Sequence, residues 1–91
     1  MSKLFVSIVI PIYNAESYLV RCLDSITLQT DTLPENTVEI ICVDDGSKDE
    51  SLSILNKYAA KHKSVRIIHQ ENAGPAAARN AGLDIACGDW I

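Results

Sequence analysis

The chain has 91 residues, 47% of them hydrophobic and 22% charged, with only 4 Gly and 3 Pro, a composition that argues against a disordered or fibrous chain. Eight Lys and Arg against 12 Asp and Glu leave a net charge of −4, so the basic face of a general nucleic-acid binder is missing, and an anionic ligand needs local groups or a metal to offset its charge. The cysteines, Cys22, Cys42 and Cys87, are odd in number and form no Cys-x-x-Cys pair, which argues against a disulfide scaffold or zinc ribbon and reads as three small buried hydrophobes in a reducing cytoplasm.

In chain order the pattern alternates between strand-like and helix-like segments. Leu4–Ile12 is a nearly continuous β-branched run, as expected of a strand buried on both faces. Asn14 is placed to cap the next helix, on which Leu19, Cys22, Leu23 and Ile26 form one apolar stripe. Thr30–Thr37, with Pro34, reads as a polar loop. Val38–Val43 is a second buried strand that runs into Asp44-Asp45-Gly46-Ser47. Ser47 and Glu50 have capping-box spacing, so a helix is expected from about Lys48, with Leu52, Leu55, Tyr58 and Ala59 as its core face.

Val65–His69 reads as a third strand and Gln70–Gly74 as a loop. Pro75 suits the first position of a helix over Ala76–Ala86. Gly82 within that helix costs roughly 1 kcal/mol relative to Ala, a cost that close backbone packing explains. Gly88 is expected to end the helix, and Asp89-Trp90-Ile91 to begin a fourth strand. His62 and His69 lack partners at metal-ligand spacing and read as ordinary surface or strand residues. No apolar run approaches the roughly 20 residues of a membrane span, and nothing at the start resembles a signal peptide.

Strands separated by helices imply βαβ units with right-handed crossovers. The fold class expected is therefore α/β, with a mainly parallel, Rossmann-like sheet and flanking helices. Ligands in such sheets sit beyond the carboxyl ends of the strands, and the unusual polar residues fall there. Tyr13-Asn14 follow the first strand, Asp44-Asp45 the second and Glu71-Asn72 the third.

Each of these residues has two readings. Asp44 and Asp45 repel each other and need compensation from helix amides, a cation or a ligand donor; otherwise they belong to a strand-ending turn that caps the next helix. Tyr13, after the bend at Pro11-Ile12, can stack on a nucleobase or cover the core edge. Arg79, the lone cation of an alanine-rich turn, can contact a diphosphate or base or pair with Glu71 or an aspartate of the pair.

Taken together, I-P-I-Y-N-A-E, V-D-D-G-S-K-D, N-A-G-P-A-A-A-R-N-A-G-L and G-D-W resemble the nucleotide-binding half of family-two glycosyltransferases, enzymes of the GT-A fold. The resemblance covers Val6–Ile91, with the motifs in the family's order. It implies transfer of a sugar from a nucleoside-diphosphate donor, a UDP-sugar first, to an acceptor hydroxyl with inversion. Carried over by residue, Tyr13 with the backbone at Pro11 and Ile12 would flank the base. Asp45 would hydrogen-bond it with Asp44 alongside, and Gly74 and Arg79 would border the base and diphosphate. Glu16 matches an acidic residue often found after the Tyr-Asn pair and reads here as helix-start electrostatics.

The same resemblance implies a divalent metal, Mn or Mg, whose D-x-D ligands and catalytic base follow the fourth strand. Asp89 precedes that position. Residues 1–91 are therefore expected to be the N-terminal, incomplete nucleotide-sugar-binding part of a GT-A domain, cut at the fourth strand and inactive alone. A cytoplasmic location is expected, with the parent at the cytoplasmic face of a membrane as one variant. The alternative is a stand-alone α/β binding or interaction module that self-associates through an exposed sheet edge.

Overall fold

The computed structural model describes residues 6–30 and 37–86. Within them the elements alternate as β1 (Val6–Ile12), α1 (Leu19–Thr30), β2 (Val38–Asp45), α2 (Ser51–Lys61), β3 (Val65–Gln70) and α3 (Pro75–Ile85). The strands form one parallel sheet in the order β1-β2-β3. The expected fourth strand, Gly88, Asp89 and Cys87 lie outside the described residues, as does most of the expected polar loop.

Period-two alternation sorts the strand side chains onto two faces. Ile8, Ile10, Ile12, Ile40, Cys42, Val65 and Ile67 pack with Leu19 and Leu23 of α1 and Leu55 and Tyr58 of α2. Val9, Ile41, Val43 and Ile68 pack against Ala78, Ala81 and Ile85 of α3. Leu23 and Leu55 are fully buried, and burying such a side chain contributes about 1.5–3 kcal/mol. Two helices thus cover one face and α3 the other. Helix α3 packs across that second face on β1 and β2, and β1 is an end strand of the described sheet. Its outer edge is unpaired among the described residues, and most of its side chains are only half-buried, in contrast to the burial on both faces expected of it. The strand buried on both faces is β2.

Close packing of α3 has the cause anticipated for Gly82. A Cβ there would lie 2.3 Å from Val9 Cγ1 and 3.3 Å from Val43 Cγ2, so only glycine lets the helix lie this close to β1 and β2. On the other face, buried Tyr58 donates its hydroxyl to Asp24 Oδ1 at 2.9 Å, with Thr27 Oγ1 2.8 Å away. Its ring stacks on His62 at 4.4 Å. At the amino end of the sheet a buried Glu39 accepts from Ser7 Oγ at 2.6 Å and from Arg66 Nη1 at 3.1 Å, which supplies the partners a buried carboxylate requires.

Three local expectations are corrected. Asn14 does not cap α1, which begins at Leu19 with its first amide donating to the Ala15 carbonyl. Ser47 and Glu50 form no capping box: α2 begins at Ser51 without a side-chain cap from Glu50, and the Ser47 hydroxyl instead accepts from the Asn14 amide. Of the cysteines, Cys42 is buried but Cys22 is exposed, because the buried stripe of α1 runs through Leu19, Leu23 and Thr27 and Cys22 falls beside it. No helix among the described residues is long and apolar enough to cross a membrane.

Candidate functional site

At the carboxyl ends of the strands, three loops are tied together by side chains that the local sequence left ambiguous. Asn14 stands at φ +48°, a left-handed conformation that asparagine tolerates better than most residues. In that conformation its amide donates to Ser47 Oγ at 2.9 Å and its Oδ1 accepts the Lys48 amide at 2.8 Å. The next two amides continue the seam: Ala15 donates to Ser51 Oγ at 2.8 Å and Glu16 to Asp49 Oδ2 at 3.1 Å. Asp49 Oδ1 also accepts the Ser51 amide. The loop after β1 is thus fixed to the loop after β2, and Tyr13 projects from it 46% exposed.

The aspartate pair resolves by strand alternation. Asp44 and Asp45 are the last two residues of β2 rather than a turn beyond it, so their side chains leave on opposite faces. Asp44 is completely buried. Its Oδ2 lies 2.8 Å from Nδ1 of His69, its register partner on β3, and its Oδ1 has no hydrogen-bond partner among the described residues.

Asp45 faces the loop after β3. Its Oδ1 accepts Gln70 Nε2 at 2.9 Å and the Ala73 amide at 2.8 Å, and its Oδ2 accepts the Gly74 amide at 2.9 Å. Asn72 adds a side-chain bond to the Asp45 carbonyl at 3.2 Å. The Gln70 amide first, and then the Ala73 and Gly74 amides against the opposing effect of burial, hold this carboxyl below its ordinary value of 3.8. Gly74 is the N-cap of α3 and Pro75 its first residue, so the carboxylate also meets the positive end of that helix.

A cavity of about 360 Å³ opens beside this arrangement. Pro11, Ile12 and Tyr13 wall it from β1, Asp45 from β2, and Asn72, Gly74 and Pro75 from the third loop. The size falls in the range of small-molecule sites. Flat apolar walls with a fixed anionic acceptor suit a planar heterocycle that carries an N–H donor. The pocket lies outside the carboxyl end of β1, the end of a parallel sheet where ligands bind.

The structure therefore brings together Pro11, Ile12, Tyr13, Asp45 and Gly74 of the residues expected at a site. Asp44 lies in the interior, away from the lining. Arg79 is exposed on α3 and joins neither the Arg66–Glu39 ion pair nor the His69–Asp44 contact. Glu16 is exposed, ahead of the first turn of α1. Asn72, which the sequence places at the ligand end after the third strand, also lines the pocket, whereas sequence reasoning missed Gln70 and Pro75 as site residues and His69 as a carboxylate partner. The signal for Gln70 and His69 was their position at the end of β3, two strand residues aligned with two aspartates. Among the described residues no three His, Cys, Asp or Glu side chains converge as a metal set.

Comparison with known proteins places this geometry in context. The family model described as "Glycosyl transferase family 2" matches residues 7–91. A poly(ribitol-phosphate) beta-glucosyltransferase of Bacillus spizizenii is 48% identical over 88 residues, which is 94% of this chain and 14% of that protein. Glycosyltransferase GlyG of Streptococcus pneumoniae is 46% identical over 92 residues, covering 100% of this chain and 29% of that protein. The crystal structure of S. aureus TarS 1-349 in complex with UDP superposes with a TM-score of 0.82 at 33% identity, covering 93% of this chain and 25% of that one. The chain thus spans well under a third of the length of each of these relatives.

Proposed function

The chain belongs to glycosyl transferase family 2, and from that premise we propose that it supplies donor-base recognition to an enzyme that moves a sugar from a nucleoside diphosphate to an acceptor hydroxyl. In this reading residues 7–91, which match the family model, act as the nucleotide-sugar-binding part of a GT-A domain. The donor is a UDP-sugar and the transfer inverts the anomeric carbon. One observation carries the reading. A pocket at the carboxyl end of β1 presents an aromatic ring, Tyr13, beside a carboxylate, Asp45, whose fixed orientation comes from three N–H donors. The UDP in the related TarS structure supports the choice of base.

In this reading Tyr13 and Pro11 hold the plane of the base, Asp45 accepts its ring N–H, and the Gly74 turn lets the ribose and diphosphate pass close to the backbone. Asp44 ties the end of β2 to β3 through His69, and Arg79 reaches the diphosphate from α3. In this reading the chain by itself binds nucleotide without transferring sugar. The free thiols Cys22 and Cys42 fit a cytoplasmic setting.

Calorimetric titration of UDP into wild-type chain and Tyr13→Ala tests the reading. Loss of base stacking should weaken binding by about tenfold or more, while the melting temperature holds because Tyr13 is half-exposed. Equal affinities in the two proteins would remove Tyr13 from the site. Release of UDP from UDP-sugars above the protein-free background would show that the chain is not inactive alone.

A further inference from the structure

Gln70 closes β3 directly opposite Asp45 in the register of the sheet, and its side chain does something the backbone of the third loop does not. A carboxylate oxygen offers about two lone pairs. Asp45 Oδ1 uses both, on Gln70 Nε2 at 2.9 Å and the Ala73 amide at 2.8 Å, while Oδ2 uses one, on the Gly74 amide at 2.9 Å. All three partners are donors, so they favour the ionised carboxylate and fix its plane. One acceptor site is left, on the carboxylate that helps wall the pocket. Without Gln70, Oδ1 regains a free lone pair, and the carboxyl can turn or take a proton there and become a donor.

We propose that Gln70 is the positioning residue that keeps Asp45 an acceptor-only edge, so that the pocket admits a base with a ring N–H and rejects one with a ring-nitrogen lone pair at the same place. The inference rests on the nucleotide reading above and assigns part of its base selectivity to a residue that need not touch the ligand. Uracil presents N3–H where cytosine presents the N3 lone pair. Against a fixed carboxylate the first pair forms a charge-assisted hydrogen bond, whereas the second sets two acceptors face to face and leaves both unsatisfied. The ribose and diphosphate are identical in UDP and CDP, so their affinity ratio isolates the base edge.

The experiment measures that ratio by calorimetry at neutral pH in the wild-type chain, Gln70→Leu, Gln70→Lys and Gln70→Glu. The wild type should favour UDP by at least about tenfold. Gln70→Leu, which keeps bulk but lacks the donor, should lower UDP affinity by about tenfold while CDP stays within about twofold. Gln70→Lys returns an N–H donor and should restore most of the ratio. Gln70→Glu sets a second carboxyl against Asp45, where the two share a proton, and should move the ratio toward CDP. This last pair decides the question even where Gln70→Leu fails to fold. Equal losses for UDP and CDP, or a Gln70→Glu ratio matching wild type, would overturn the inference and leave the nucleotide site standing. A folded wild-type chain that binds neither nucleotide would overturn the site reading and this inference with it.

Discussion

Gly46 follows Asp45 immediately and joins the backbone of β2 to that of the third loop, so a methyl group there tests how the site is held. Its φ is +70°, and a Cβ would lie 2.6 Å from the backbone nitrogen of Asn72 and 3.2 Å from its Cα. Two separate costs follow for Gly46→Ala. An L-residue in the left-handed region costs about 1–2 kcal/mol. The clash falls on backbone, which has to retreat by roughly 0.9 Å to reach ordinary contact distance, and overpacking of this kind costs about 1–3 kcal/mol. The sum, about 2–5 kcal/mol, is a large part of the 5–14 kcal/mol or so expected for a chain of this length. It corresponds to a melting-temperature loss of at least about 8 °C. The retreat also draws the Ala73 and Gly74 amides away from Asp45, from contacts of 2.8 and 2.9 Å, so nucleotide affinity should fall together with stability. Thermal unfolding followed by far-UV circular dichroism, with Gly46→Asn alongside, separates the two costs. Asparagine tolerates the left-handed region but keeps the Cβ, so it should melt nearly as low as the alanine variant. An asparagine variant within about 2 °C of wild type would refute the clash.

Other consequences follow from the same contacts. Asn14→Ala loses both a favoured left-handed residue and the acceptor of the Lys48 amide, and should cost about 1–3 kcal/mol in urea unfolding; Asn14→Gly, which keeps only the backbone freedom, should cost less. Asp45 and Asp49 both lie below the ordinary carboxyl value of 3.8, the first chiefly through Gln70 and the second chiefly through the Ser51 hydroxyl. Because the folded values are depressed, their stabilisation is complete above the ordinary value and is lost as pH falls through the lower folded ones. The urea midpoint should therefore drop below about pH 4, with a shallower drop in Asp49→Asn. Burial, with Cys22 nearby, pushes the Cys42 thiol up to about 12, so iodoacetamide at pH 8 should label exposed Cys22 in the native chain and reach Cys42 only after unfolding, as peptide mass mapping will show.

Much of the fold was legible because its signals are local and redundant. The β-branched runs, the apolar stripes and Pro75 each point to the element that forms, and Gly82 signals close backbone packing of α3, which the structure realises against Val9. What the sequence concealed was long-range. Asn14, Ser47, Asp49 and Ser51 all carry the chemistry of caps and turns, and a linear reading spends them on the nearest helix. In the folded chain Asn14 bonds Ser47 and Lys48 instead, more than thirty residues away in sequence.

The aspartate pair shows the same limit from the other side. Its importance was plain from the sequence, but which carboxylate faces the pocket depends on the strand continuing two residues further than the apolar run. That extension also brings His69 and Gln70 into register with Asp44 and Asp45. Asp45 holds the third loop to the sheet, so Asp45→Ala should impair folding and binding together, whereas Tyr13→Ala separates them.

The most direct test of the central claim is a ¹⁵N-resolved NMR titration of the folded chain with UDP, with CDP as the matched control. The predicted result is a set of UDP shifts confined to the amides of Ile12, Tyr13, Asp45, Asn72 and Gly74, weak or missing with CDP. Shifts centred elsewhere on the sheet, or a folded chain whose spectrum UDP leaves unchanged, would contradict the assignment of this pocket as the donor-base site.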